Sequence, residues 1–249
     1  MIKRIHILDC GTLEIDMSYF TWKLNIGKPY RFPVWCTYVE SDEAKIMIDT
    51  GYNLENALRY YSWEKPQQSE EQRLDRQLAA IGVRPEDIDI VVITHLHFDH
   101  VGNLNLFKNA SVIVQKEELR HAYVPEPFEA IGYSRPTFDI PGIKWECVSG
   151  DQKIVEGLKT VLAPGHSAGH QVPIIDSKEL NAIIIESDVI STRLNLEKRI
   201  VGGIHLDPQA QYESMLKLER IAKETKGTIF LQHDTEFYNT LKKGREYYT

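Results

Sequence analysis

The residues best suited to chemistry lie close together in the stretch His95-Leu96-His97-Phe98-Asp99-His100. Imidazole and carboxylate groups are the types of ligand that zinc, iron and manganese take in proteins. The β-branched residues 91–93 just before them predict a buried strand. On an extended backbone, side chains two residues apart share one side, so His95 and His97 are expected to point together. The spacing therefore predicts a metal site at the carboxyl end of this strand, where open α/β sheets tend to bind ligands.

Three later stretches offer further ligands, because each follows a predicted strand. They contain His166 and His170 in Gly165-His166-Ser167-Ala168-Gly169-His170, Asp188 after the isoleucines 183–185, and His233 after residues 228–231. A carboxylate at the end of a buried strand is costly unless it is paired or metal-bound. Composition alone allows either His166 or His170 as the ligand. Together with the central stretch, these residues predict one composite site built from distant parts of the chain.

The elements that must position these residues follow from hydrophobic periodicity. Strands are predicted at residues 2–8, 34–39, 45–48, 91–93, 111–115, 153–162, 172–176, 181–186 and 228–231. Helices are predicted at residues 70–81, where Ser69 opens a capping box, at 116–122, at 208–225, and from 235 onward. Each half of the sequence contains several strands with flanking helices. This pattern indicates two sheets packed face to face, with the helices outside. No linker divides the sequence, so residues 1–249 are expected to form a single domain.

Two stretches rich in aromatic residues, 11–33 and 123–145, show no regular pattern. A long irregular segment in a compact domain is usually functional. We therefore expect residues 19–32 and 123–145 to wall a substrate pocket.

The composition narrows the possible partners. The formal net charge of -7 argues against a nucleic-acid surface. No apolar run approaches the roughly 20 residues of a membrane span, and the first residues do not resemble a signal peptide. The three cysteines are far apart and show no paired metal spacing. These features predict reduced, mostly buried thiols in a cytoplasmic protein.

The H-x-H-x-D-H pattern at 95–100 and the G-H-S-x-G-H pattern at 165–170 resemble those of the metallo-β-lactamase-like hydrolases. The resemblance implies an α/β (α+β), four-layer αββα fold with two mixed sheets. It also implies two divalent transition-metal ions: zinc, or else iron, manganese or cobalt. One ion would be held by His95, His97 and His166, and the other by Asp99, His100 and His233, with Asp188 between them. His170 would support the site, and Asp49, in Asp49-Thr50-Gly51, would accept the free N–H of a ligand histidine.

The same resemblance implies a mechanism. A hydroxide bridging the two ions would attack an ester carbonyl, with Asp188 as the bridging ligand and Asp99 passing a proton to the leaving oxygen.

The wider chain resembles the N-acyl-homoserine lactonase family, and within it the pyridoxolactonase-like branch. The segments that carry the resemblance are Arg31-Phe32-Pro33-Val34, Ile48-Asp49-Thr50-Gly51-Tyr52, Glu64-Lys65-Pro66, Glu126-Pro127-Phe128, Gly132-Tyr133-Ser134 and His205-Leu206-Asp207-Pro208. It implies a quorum-quenching hydrolase that opens a small-molecule lactone and forms a homodimer. Residues expected to contact the substrate are Phe32, Phe128, Tyr133, Ser191 and His205. In these lactonases a tyrosine often follows the bridging aspartate by three residues; here that position is Ser191, so either another group such as Tyr133 takes its place or the substrate differs.

Other functions remain open at this stage. An aromatic lactone such as 4-pyridoxolactone would need a flat pocket with a cation, for which Arg31, Arg135 and Arg193 are candidates. A glyoxalase II-type thioesterase would need a basic patch for its thioester cofactor. A protein that only stores or senses metal would not need the open coordination positions that this ligand set leaves.

Overall fold

The computed structural model describes residues 1–249, which form two mixed sheets. The first sheet contains β1 (Ile2–Asp16), β2 (Pro29–Ser41), β3 (Lys45–Ile48), β4 (Ile90–Val92), β5 (Ser111–Gln115) and β6 (Lys144–Val148), in that order. The second contains β7 (Gln152–Val155), β8 (Leu158–Leu162), β9 (Gln171–Ser177), β10 (Asn181–Ser187) and β11 (Thr228–Leu231), also in sequence order across the sheet. Strands β3 to β6 run parallel to one another, as do β10 and β11, whereas the other neighbours are antiparallel.

Eight helices surround the sheets. They are α1 (Leu54–Tyr60), α2 (Leu74–Ala80), α3 (Phe98–Val101), α4 (Lys116–Tyr123), α5 (Arg135–Phe138), α6 (Arg193–Lys198), α7 (Pro208–Thr225) and α8 (Thr235–Thr240). None of them has the length and apolar content that crossing a bilayer requires.

Three apolar clusters separate four layers of structure. The middle cluster joins residues of the first sheet, such as Ile5 and Ile48, to residues of the second, such as Ile183 and Ile185. The outer face of the first sheet packs under α1 and α2, and the outer face of the second packs under α7. Because neighbouring residues of a strand face opposite sides, Ile184 joins the outer cluster while Ile183 and Ile185 join the middle one. The predicted face-to-face arrangement of two sheets with helices outside is confirmed.

Several predicted elements differ from the structure for local reasons. Strands β1 and β2 extend into the stretch 11–33, which was expected to be irregular. Their register shifts between Asp9 and Thr12, and Gly11 in the shift has a φ of +99°. A bulge of this kind interrupts the alternating pattern without ending the strand. Residues 153–162 form the two strands of a hairpin rather than one, because Gly157 turns the chain with a φ of +85°.

The predicted helix 70–81 is broken in two. Ser69 forms the expected capping box, but it caps a 3-10 turn at Glu70–Gln72. Arg73 is extended, with a ψ of 138°, and α2 begins after it. Of the cysteines, Cys10 and Cys36 are buried, whereas Cys147 is exposed.

Candidate metal centre

Seven predicted ligand side chains meet where the strands of both sheets end. They form two groups, His95, His97, His166 and Asp188 on one side and Asp99, His100 and His233 on the other. In each group the possible ligand atoms lie within 4.8 Å of one another, and all seven residues are buried. The loops that hold them follow β4, β8, β10 and β11.

Asp188 lies between the two groups. Its Oδ2 atom is 3.4 Å from His95 Nε2, 3.2 Å from His166 Nε2 and 3.6 Å from His100 Nε2. Its Oδ1 atom is 2.9 Å from His233 Nε2. One carboxylate therefore faces nitrogens of both groups, as a bridging ligand must.

Hydrogen bonds from the far side of three imidazole rings orient them toward the centre. His100 Nδ1 donates to Asp49 Oδ2 at 2.8 Å, His166 Nδ1 to the Ile204 carbonyl at 3.0 Å, and His233 Nδ1 to the Pro33 carbonyl at 3.0 Å. A neutral imidazole that donates from Nδ1 keeps a lone pair on Nε2. In the neutral form of all three rings, that lone pair faces the other ligands.

The converging nitrogens fit a cation. His166 Nε2 is 3.2 Å from His95 Nε2 and 3.0 Å from His97 Nδ1, and His100 Nε2 is buried without a hydrogen-bond partner. Burial, followed by the charges of neighbouring histidines, lowers the pKa of His95 and of His97 well below its usual value. Both rings are thus held neutral, which is the form that binds metal. Lone pairs that face each other in a buried site repel unless a cation lies between them.

Two residues expected to support the site contact the ligand loops. Asp49 has a φ of +56° and, besides His100, accepts hydrogen bonds from the Thr94 backbone N–H and hydroxyl. His170 Nε2 accepts the backbone N–H of Asp188 at 3.3 Å and belongs to neither ligand group. Composition left His166 and His170 equivalent, and the structure separates them by this geometry.

Two buried glutamates that sequence reasoning missed join the ligand loops to one another. Glu118 of α4 accepts hydrogen bonds from the backbone N–H of Leu96 at 2.9 Å and of Gly169 at 2.9 Å, and from the Ser167 hydroxyl at 2.7 Å. It ties the loop after β4 to the loop after β8. The sequence contains a signal that Glu118 is buried. It lies four residues before Ala122 in α4, and residues at this spacing share one face of a helix, here the buried one.

Glu186 makes the equivalent connection between the loops after β10 and β11. It accepts hydrogen bonds from the backbone N–H of Ile190 at 2.7 Å and of Gln232 at 2.9 Å. These loops hold Asp188 and His233.

Replacing Glu118 by Leu is expected to lower the free energy of unfolding by about 3 kcal/mol, because three buried donors would lose their acceptor. Denaturant titration measures the change. Glu117→Leu on the same helix is the control, since the Glu117 side chain is 67% exposed and should shift the midpoint little. Equal stabilities of the two variants would show that Glu118 does not tie the loops together.

A cavity of about 240 Å³ opens beside the two groups of ligands. Half of the residues that line it are hydrophobic, and six of them are aromatic: Tyr19, Phe20, Phe32, Trp63, Phe98 and Phe128. The two segments expected to wall the pocket both reach it, the first through Phe32 and the second through Phe128, and His205 lines it as well.

Tyr133 and Ser191 are not among the residues that line this cavity, so their contact with a substrate stays a prediction. The Tyr133 ring packs behind His97, with ring centroids 4.8 Å apart, because its backbone pairs with that of His97. Ser191 is buried, and its backbone N–H donates to the Glu186 carboxylate while its carbonyl accepts from the backbone N–H of His233.

The three arginines that are candidate cations for a ring substituent lie outside this cavity. Arg31 pairs with Glu14, Arg193 pairs with Asp234, and Arg135 stacks over Tyr123. No lysine or arginine lines the cavity.

Comparison with known proteins agrees with this arrangement. A family model described as the metallo-beta-lactamase superfamily matches residues 29–233. The chain belongs to the metallo-beta-lactamase superfamily. Its two sheets and outer helices are the fold of that superfamily, as predicted.

Similar proteins within the superfamily span the whole chain. An N-acyl homoserine lactonase of Bacillus thuringiensis is 29% identical over 256 residues, covering 99% of each chain. An N-acyl homoserine lactonase of Rhizobium johnstonii is 30% identical over 261 residues, covering 99% of this chain and 98% of the relative. The solved structure of an N-acyl homoserine lactone hydrolase, with N-hexanoyl-L-homoserine bound at its catalytic metal centre, matches with a TM-score of 0.89, 29% identity and 99% coverage of both chains. The resemblance to these lactonases is confirmed, while the narrower pyridoxolactonase-like assignment stays a prediction.

Proposed function

We propose that this superfamily member hydrolyses the lactone ring of N-acyl homoserine lactones, and so acts as a quorum-quenching enzyme. The observation that carries the proposal is the seven-ligand centre opening into an aromatic cavity without a cationic side chain. The centre suits hydrolysis of an ester, and the aromatic walls suit an uncharged acyl tail. Similarity to lactonases along the whole chain supports the same conclusion.

The residues present fit two divalent transition-metal ions. His95, His97 and His166 would hold one ion, and Asp99, His100 and His233 the other, with Asp188 shared between them. We propose zinc, although the same ligand types also suit iron, manganese and cobalt. When bound, such a pair of ions lowers the pKa of a water molecule and polarises an ester carbonyl.

The chain's own side chains orient the reactants. Asp99 is 9% exposed and lines the cavity, with its Oδ2 atom 3.6 Å from His100 Nε2 and 3.8 Å from His233 Nε2. Hydrolysis adds the hydroxyl of water to the carbonyl carbon, breaks the bond from that carbon to the ring oxygen, and leaves the ring oxygen to take up a proton. We propose that Asp99 takes up the proton that the water loses and delivers it to the ring oxygen, because its carboxyl lines the cavity beside the centre.

The rim of the cavity would hold the rest of the substrate. Phe32 and Phe128 would pack against the acyl tail, and His205, whose Nδ1 donates to the Gly202 carbonyl at 2.8 Å, would stay in place beside it. Burial of this kind excludes bulk water from the ester.

The alternatives fit the cavity less well. An aromatic lactone such as 4-pyridoxolactone would find no cation in the walls for its ring substituent. An acyl-glutathione thioester would likewise find no basic partner there. We further propose that residues 1–249 act as one cytoplasmic hydrolase domain that assembles as a homodimer.

An assay of three substrates on zinc-loaded protein tests the proposal. We expect N-hexanoyl-L-homoserine lactone to be opened, with kcat/KM at least about 100-fold above that for 4-pyridoxolactone or S-lactoylglutathione. Titration of the released acid measures every reaction in the same way. If the enzyme hydrolyses 4-pyridoxolactone or S-lactoylglutathione faster, that substrate replaces the one proposed here. If it hydrolyses no lactone, the proposal is wrong.

A further inference from the structure

One carboxyl group in the cavity wall has no partner in the protein. Glu64 is only 8% exposed, lines the cavity, and makes no side-chain hydrogen bond or ion pair. The adjacent Lys65 pairs with Glu14 instead. The Glu64 carboxyl therefore opens onto the cavity without a hydrogen-bond partner from the fold.

The other acidic side chains of the cavity wall either belong to the candidate metal centre or form an ion pair. Asp99 and Asp188 belong to the candidate metal centre, and Glu129 pairs with His121. Around Glu64 the wall is aromatic, with Trp63 next in sequence and Phe98 stacked on Tyr61 at a centroid distance of 3.6 Å. No donor in this surface compensates the Glu64 carboxyl.

Burying such a group costs stability. Burial, and then the charge of Asp99, raises the pKa of Glu64 to about 9. Residues that lower stability in this way are expected at functional sites, where a bound ligand provides the hydrogen-bond partner that the protein lacks.

We propose that Glu64 is a specificity-determining residue that hydrogen-bonds the amide group of an N-acyl homoserine lactone. This inference rests on the proposed function. The metal centre would bind the ring ester, and the aromatic wall would pack against the hydrocarbon tail. The amide is then the remaining polar group of the substrate that needs a hydrogen-bond partner. An ionised carboxylate accepts the amide N–H, and a protonated carboxyl also donates to the amide carbonyl, so the pairing holds in either state.

Two substrates separate this role from general activity. One is N-hexanoyl-L-homoserine lactone, and the other is α-heptyl-γ-butyrolactone, in which two methylenes replace the amide N–H and carbonyl. We expect Glu64→Leu to lower kcat/KM for the first about 30-fold and for the second less than threefold, because only the first loses a hydrogen bond in a desolvated site. Glu64→Gln, whose amide both donates and accepts, should retain most of the preference.

Three further measurements exclude a merely structural effect. Metal content per chain should stay the same in both variants. The Kd of N-hexanoyl-L-homoserine, measured by calorimetry, should rise in Glu64→Leu and not in Glu64→Gln. The melting temperature of Glu64→Leu should rise, since a carboxyl group that is desolvated in the cavity wall is replaced by an apolar side chain. The exposed Glu55→Leu is the control and should change none of these values.

The outcomes are distinct. If the unmodified enzyme opens neither lactone, the proposed function fails and this inference fails with it. If the enzyme opens the acylated lactone but Glu64→Leu affects both substrates equally, or affects neither, the amide contact is wrong and the proposed function stands. A lower melting temperature together with lost activity on both substrates would make Glu64 a structural residue.

Discussion

Replacing Asp188 by Ala is expected to lower kcat/KM for N-hexanoyl-L-homoserine lactone by roughly a thousandfold or more, because several kcal/mol of metal-dependent stabilisation would be lost. Both carboxylate oxygens of Asp188 face ligand nitrogens, one of them at 2.9 Å from His233 and the other at 3.2 Å from His166. Without this carboxylate, the two groups of histidines would keep only Asp99 as an anionic ligand. The amount of bound metal should therefore fall together with the activity.

The measurements are steady-state kinetics, elemental analysis of the purified variant, and circular dichroism to confirm the fold. Asp176→Ala is the matched control, because Asp176 is exposed on β9 and lies in neither ligand group. An Asp188→Ala enzyme with normal turnover would refute the composite centre, and one with normal metal content would remove Asp188 from the ligand set.

Adding one methyl group at Gly132 is expected to displace His97. A Cβ atom built on Gly132 would lie 2.6 Å from His97 Cδ2 and 2.7 Å from His97 Nε2, which is closer than non-bonded atoms approach. The His97 ring would have to move or the loop would have to open. We expect Gly132→Ala to reduce kcat/KM by about 10- to 100-fold and to weaken metal binding, the range found when residues that orient metal ligands are changed.

Gly142→Ala is the control in the same segment. Gly142 has a φ of +87° and open space around its Cβ position. Its replacement should cost about 1 kcal/mol of stability through backbone strain and leave kcat/KM unchanged. If Gly132→Ala loses only stability, as Gly142→Ala should, then Gly132 does not set the position of His97.

The sequence predicted most of the fold because hydrophobic periodicity is a local property. Strands β3, β5 and β11 and helix α7 lie where the pattern placed them, since each is an uninterrupted apolar or amphipathic run. Some misses occurred where a single residue changes the backbone, and others were short elements, namely α1, α5, α6 and β6, that the pattern did not predict. Gly11 allows a bulge within β1, and Arg73 separates a 3-10 turn from α2.

Hydrophobic periodicity cannot identify hydrogen-bond or ion-pair partners that lie far apart in the chain. Glu118 and Glu186 each connect two ligand loops, and this role is visible only in the folded chain. There the backbone N–H groups of Leu96 and Gln232, which come from distant segments, lie within hydrogen-bonding distance of the two carboxylates. The same holds for the arginines that were candidates for the pocket, because each lies on the surface beside an acidic or aromatic residue.

The sequence by itself determined the chemical types of the ligands and their place at strand ends, because alternation along a strand and the turn after it are local geometry. Only the tertiary structure decided how these side chains face one another, that Tyr133 and Ser191 lie outside the cavity, and that Glu64 has no partner. Those properties depend on which distant segments pack together. Packing is chosen by the burial of whole apolar faces rather than by any short motif.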